Sequence, residues 1–269
     1  MEPFVFDERF PNARIRPYVH TQYPVCPHRP RPAVIVFPGG GYAYCYPGEG
    51  ETIALSYMNA GMNAYVLNYS CCENAKFPTP LLEAGAAVAY VRARAAEDNT
   101  DPDRIFVIGF SAGGHLAGAL ATNWQREDLF APLGIKDGAN RPTGVILSYP
   151  VVTGGEKRER GSFCKLLGKE DPTEEELAIW SNEKNVTDKM PPAFIWHAAE
   201  DCVVPVENSL LMASAMAACG VSLELHVFRR GGHGISLATE ETAYGKEDIK
   251  VVPGAAVWMP LSITWIKSF

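Results

Sequence analysis

The sequence predicts an α/β fold: a mainly parallel central sheet with helices on both faces. Short apolar runs rich in β-branched residues alternate with longer helical patterns, as expected where helices cover both faces of a sheet. The 269 residues are 47% hydrophobic and 20% charged, which supports a large core. No linker-like stretch breaks the alternation, so residues 1–269 are expected to form a single domain.

The elements follow in order. Residues 4–20 hold two short extended runs, expected as an antiparallel edge hairpin. Ala33 to Phe37 is a continuous β-branched strand, broken by Gly39-Gly40-Gly41. A helix is expected over 51–60, ending at Gly61, then a strand from Ala64 to Tyr69. Leu81 to Ala96 reads as a long crossover helix, and Asp101-Pro102-Asp103 as a turn. Ile105 to Phe110 is the next strand and Ala112 to Trp124 the next helix. Strands follow at 145–149 and 193–197, a helix from Val206 to Ala218 closed by Gly220, an alternating strand from Leu223 to Phe228, and a last helix over 256–267. Residues 125–143 read as loop. Residues 153–190 read as a small, partly helical insertion after a strand, placed to cover a site; Thr173 with Glu176 forms a capping-box pattern there.

Composition excludes several classes. The formal net charge is −7 and no Lys/Arg stripe offsets it, because Arg158 to Arg160 is interleaved with Glu156 and Glu159. A nucleic-acid partner is therefore not expected. Seven cysteines include neither a CxxC nor a zinc-spaced Cys/His cluster, so no metal site is expected and the thiols read as reduced. No apolar run reaches the ~18 residues of a membrane span, and Met1 to Phe10 lacks the pattern of a signal peptide. The expected location is cytoplasmic.

The chemistry is carried by three segments. Gly109-Phe110-Ser111-Ala112-Gly113 is a G-x-S-x-G motif between a predicted strand and a predicted helix, the context in which the serine sits on a sharp turn and projects its hydroxyl. Glycines two before and two after let strand and helix approach, and the helix N-terminus favours developing negative charge. Pro38-Gly39-Gly40-Gly41-Tyr42 follows the first strong strand; Gly40 and Gly41, with Ala112, are assigned as backbone N–H donors of an oxyanion hole. A phosphate loop is excluded because no Gly-Lys-Ser/Thr follows.

Of six histidines, His233 lies in Gly231-Gly232-His233-Gly234, a loop directly after the last alternating strand, and is assigned as general base. His115 is the competitor, four residues beyond Ser111. His197 and His226 lie within strands and read as packing residues; His20 and His28 read as surface or edge residues. Asp201 follows a buried strand and completes the chain order Ser, Asp, His, with Glu200 as its competitor. Asp201 orients His233, which accepts the proton of Ser111.

These segments together resemble α/β-hydrolase esterases related to acetyl esterases and acetylxylan esterases, over most of the chain from about Arg31 to His233. The carriers are Phe37 to Tyr42, Gly50-Glu51, Asn63 to Tyr69, Asp101 to Ile105, Gly109 to Leu116, and the Asp201 and His233 segments. Pro38 stands where the lipase-like branch has histidine, and Tyr69-Ser70-Cys71 replaces the usual tyrosine-arginine pair. The resemblance implies an α/β-hydrolase fold and hydrolysis of short-chain acyl esters, above all acetyl esters on carbohydrate, with no cofactor and a small acyl ester, such as an acetylated oligosaccharide, as partner. Tyr42, Tyr44, Tyr46 and Trp180 are candidates to line a sugar cleft. The alternatives within enzymes are an aryl formamidase, another small-ester carboxylesterase or a serine peptidase; outside them, an inactivated hydrolase-fold binding module. No motif places a carboxylate pair for glycosidic cleavage.

Overall fold

The computed structural model describes residues 2–25, 29–243 and 250–269. Its centre is a seven-stranded sheet built from β1 (Arg14–Tyr18), β2 (Arg31–Phe37), β3 (Asn63–Asn68), β4 (Thr100–Phe110), β5 (Gly144–Ser148), β6 (Ala193–Ala198) and β7 (Leu223–Phe228). The order is β1-β3-β2-β4-β5-β6-β7, with β1 antiparallel to β3 and every other pair parallel.

The continuous apolar strands are continuous because both faces are covered. Side chains alternate across a strand, and Ile35 and Phe37 of β2 enter one core while Val34 and Val36 enter the other. With the short helices Glu127–Phe130, Arg160–Leu167 and Glu174–Ile179 counted as α4 to α6, the first core packs under α2 (Thr79–Ala93), α3 (Ala112–Asn123) and α7 (Glu207–Ala218), through Val88, Leu120 and Met216. The second packs under α1 (Glu51–Asn59) and the C-terminal helix (Trp258–Lys267), through Tyr57 and Trp258. Strand β7 is only partly buried, which explains its alternation in sequence.

Several boundaries differ from the expectations, each for a tertiary reason. The N-terminal segment forms β1 and a single bridge from Phe4 to Ile15, and β1 takes its ladder from β3 rather than from a hairpin partner. Strand β4 starts at Thr100, which pairs with Arg31 of β2, rather than at Ile105; the expected turn at Asp101-Pro102-Asp103 is kept as a bulge within it, where the Asp103 N–H donates to Asp101 Oδ1 at 3.0 Å and the register shifts before Ile105 pairs with Ala33. Residues 125–143 contain a short helix, Glu127–Phe130, anchored by buried Phe130 against Gly85 of α2. The last helix is preceded by a separate turn, Pro253–Ala256.

The segment 153–190 holds two helices, Arg160–Leu167 and Glu174–Ile179. The second carries the expected capping box between Thr173 and Glu176. The first is capped by Glu159, whose carboxylate accepts from the N–H groups of Gly161 and Ser162. His28 and Cys26 lie outside the described residues.

Candidate active site

The parallel strands end on one edge, and the loops that leave β2, β4, β6 and β7 there supply every residue assigned from the sequence as nucleophile, base, acid or oxyanion donor. Ser111 occupies the turn between β4 and α3 with φ 52° and ψ −117°, a conformation that only surrounding structure can enforce on a side-chain-bearing residue. That structure is on hand. Ser111 N–H donates to Ser148 O at 3.0 Å, and Ser111 O accepts from the N–H groups of His115 and Val151, each at 3.0 Å. A Cβ on Gly109 would overlap the Gly113 carbonyl, so the turn cannot close with any larger residue.

Ser111 Oγ lies 2.7 Å from His233 Nε2, and His233 Nδ1 lies 2.7 Å from Asp201 Oδ2. With Nδ1–H donating to the carboxylate, Nε2 is left to accept the serine proton. Asp201 Oδ1 accepts from the N–H groups of Val203 at 2.9 Å and Val204 at 3.0 Å. Burial opposes ionisation of Asp201, but hydrogen bonds from His197 and His233, the charge His233 can carry and the Val204 N–H together hold its carboxyl far below the usual carboxylate range. Glu200, the competitor, points away and pairs with Arg230 at 2.6 Å.

The N–H groups of Gly40, Gly41 and Ala112 donate to no other protein group among the described residues. Gly40 has φ 120° and Gly41 φ 63°, backbone states suited to glycine. These two glycines, Ser111 and His233 border a cavity of about 500 Å³, closed on another side by Gly161, Ser162 and Lys165 of the inserted helix. The arrangement suits acyl transfer: a hydroxyl next to an acceptor nitrogen, an ionised carboxylate behind it, and unused backbone donors beside the reacting atom.

The aromatic candidates divide. Tyr44 lines the cavity and is 55% exposed, and Tyr46 lines it too. Tyr42 does not line it: its ring is fully buried and its hydroxyl donates to His115 Nδ1 at 2.8 Å. Trp180 does not line it either; it packs edge-on against Phe77, and its carbonyl accepts from His115 Nε2 at 2.8 Å. His115 is therefore a core linker between α3 and the insertion, and burial lowers its pKa to about 4. His226 packs against Phe194 and Phe228. Half-buried His20 contacts Met58 O.

Sequence reasoning missed three polar residues at the site. Glu49 is a buried carboxylate bordering the cavity, Tyr149 packs edge-on to His233 at 5.2 Å, and Ser162 Oγ is buried with no hydrogen-bond partner. A lone Glu between Gly48 and Gly50 carries no pattern that separates it from a solvated loop residue.

The BD-FAE family matches residues 22–216. The chain is similar to endo-1,4-beta-xylanase B of Butyrivibrio fibrisolvens, 42% identical over 214 residues that make up 78% of this chain and 33% of that protein. It is also similar to an acetylxylan esterase of Xylanibacter ruminicola, 30% identical over 77% of this chain and 42% of that one. The chain thus spans well under two thirds of the length of these curated relatives. Among solved structures, an acetyl ester-xyloside bifunctional hydrolase from Caldicellulosiruptor lactoaceticus superposes with a TM-score of 0.79 at 37% identity, over 95% of this chain and 88% of that one. The protein is a member of the BD-FAE family of α/β hydrolases.

Proposed function

We propose that the protein is a serine esterase that removes short acyl groups, above all acetyl, from carbohydrate. The observation that carries this reading is the hydrogen-bonded series Ser111, His233 and Asp201, opening onto a cavity bordered by backbone donors. Ser111 Oγ attacks the acyl carbonyl while His233 Nε2 takes its proton. The N–H groups of Gly40, Gly41 and Ala112 receive the oxyanion, and the protonated imidazole returns the proton to the departing sugar oxygen. Water, deprotonated by His233, then attacks the acetyl-enzyme carbonyl, and acetate leaves as Ser111 recovers its proton. These steps use neither a metal nor an organic cofactor.

Substrate class is supported by the cavity and by the relatives. Gly40, Gly41 and Ala43 leave room for a small acyl group, and Tyr44 and Tyr46 offer aromatic surface for a sugar ring. One similar protein is named an acetylxylan esterase and another an acetyl ester-xyloside bifunctional hydrolase. The two carboxylates that border the cavity, Glu49 and Glu159, both accept hydrogen bonds from protein donors, which argues for ester rather than glycoside chemistry.

The test is acetate release from acetylated xylo-oligosaccharide, set beside p-nitrophenyl acetate, p-nitrophenyl butyrate and N-formylkynurenine. Turnover of the sugar acetate, and acetyl preferred over butyryl, is the expected outcome. Turnover of formylkynurenine without the sugar acetate would replace the proposal with an aryl formamidase.

A further inference from the structure

Glu49 is 2% exposed, and both of its oxygens are spoken for by groups of the site. Oε2 accepts from the Gly39 N–H at 2.7 Å, at the base of the oxyanion loop. Oε1 accepts from the Tyr149 hydroxyl at 2.7 Å. That hydroxyl in turn accepts from the Ser236 N–H at 3.0 Å, in the loop that carries His233. Ser236 Oγ closes the ring by donating to Gly48 O at 2.6 Å. The carboxylate lies directly beneath the nucleophile: a Cβ on Gly39 would sit 2.7 Å from Glu49 Oε2 and 2.9 Å from Ser111 Cβ.

Donor counting makes a carboxylate the required group here. The Gly39 N–H can only donate, and the Tyr149 hydroxyl donates its single proton because it already accepts from Ser236. Only a group with two acceptor oxygens and no donor meets both. Burial pushes the Glu49 carboxyl up, and the Tyr149 and Gly39 donors, with the charges of His233 and Lys250, counter it.

We propose that Glu49 is a positioning residue of the reaction, a carboxylate that holds the oxyanion loop and the base loop in register through Gly39, Tyr149 and Ser236. The proposal rests on the serine-esterase reading of the site. Glu49 borders the cavity, but both of its oxygens are engaged by Gly39 and Tyr149, so it acts on the reacting atoms through those partners. It acts by keeping the Gly40 and Gly41 donors at a fixed distance from the Ser111–His233 pair, where a displacement of an ångström or less is felt in the transition state.

The experiment uses the full chain and two readouts: kcat and KM on p-nitrophenyl acetate, and the rate at which Ser111 is covalently labelled by a fluorophosphonate. In Glu49→Gln the amide nitrogen cannot accept, so one donor is orphaned. We expect kcat to fall by about 10- to 100-fold, KM to stay within about 3-fold, and labelling to slow in parallel with kcat. Tyr149→Phe keeps the ring, its burial and the Gly39–Glu49 bond, and it should fold whether or not Glu49→Gln does. It is expected to lower kcat by about 5-fold or more, again without a matching rise in KM. In the double variant the losses should not multiply, because both act through one chain of bonds. Unchanged kcat per labelled active site in Tyr149→Phe, or losses that multiply, would overturn the proposal while the esterase reading stands. A wild-type protein that neither labels at Ser111 nor cleaves the ester would overturn the esterase reading and the proposal with it.

Discussion

His197 Nε2 stands 3.3 Å from Asp201 Oδ2, the same oxygen that receives His233 Nδ1 at 2.7 Å. A strand histidine thus supports the Asp201 carboxylate together with His233. His197 is fully buried, with Nδ1 2.7 Å from Ser209 Oγ and Nε2 also 2.9 Å from Val204 O, so its ring ties β6, α7 and the Asp201 turn together. His197→Ala should remove a buried ring and leave two polar partners unmatched, at about 2–4 kcal/mol of stability. Chemical denaturation measures that loss. Turnover of the folded variant should fall by about 10-fold, far less than on losing the nucleophile. A variant as stable as wild type would mean that these contacts carry little.

The nucleophile turn makes a sharper prediction. A Cβ on Gly113 would overlap the carbonyl oxygens of Phe37 and Pro38, which lead into the Gly39-Gly40-Gly41 loop. Gly113→Ala should therefore destabilise by about 3 kcal/mol or prevent folding, since these neighbours are backbone and cannot rotate away. Gly232 is the control on the base loop: a Cβ there meets nothing within 4 Å. Gly232→Ala should change stability by no more than about 0.5 kcal/mol. Thermal melts of the two proteins should differ clearly; coincident melts would contradict the steric reading.

Glu83 predicts a pH dependence. It is fully buried in α2 and accepts from the Ser70 N–H at 2.8 Å and the Ser70 hydroxyl at 2.5 Å. Among the described residues no cation pairs with this carboxylate, and burial raises its pKa from 4.5 to about 7. A raised carboxyl pKa means that the folded protein retains a proton the unfolded chain releases. The contribution of Glu83 to stability is thus most favourable below pH 4.5, declines as pH rises towards 7, and is constant above. Glu83→Gln carries no such slope. Between pH 5 and pH 8 it should gain on wild type by on the order of 2–3 kcal/mol in denaturant titrations. A difference that does not move with pH would place the titration elsewhere.

Much of this was readable from local patterns. Gly109 to Gly113, His233 and Asp201 each follow a strand that the apolar runs reveal, and strand ends in a parallel sheet converge on one edge. Glu49 and Tyr149 were not readable, because a buried polar group is defined by partners distant in sequence, here 100 residues apart; the His197–Asp201 contact spans only four residues but depends on how the turn after β6 folds back on the strand. Tyr42 and Tyr44 make the same point at short range. Two residues apart in one loop, they diverge because φ of 58° at Tyr42 turns that ring into the core, where His115 meets its hydroxyl. At Asp101-Pro102-Asp103 the local turn chemistry is kept, with the Asp103 N–H on Asp101 Oδ1, and what was not readable was the long-range pairing of Thr100 with Arg31 that starts β4 before the bulge.

The most direct test of the mechanism is peptide mapping by mass spectrometry after exposure to a fluorophosphonate, with Ser111→Ala alongside. The expected result is one adduct, on Ser111, absent from a folded Ser111→Ala protein whose ester turnover has dropped by about 10⁴-fold or more. An adduct on another residue, or wild-type turnover in Ser111→Ala, would contradict Ser111 as the nucleophile.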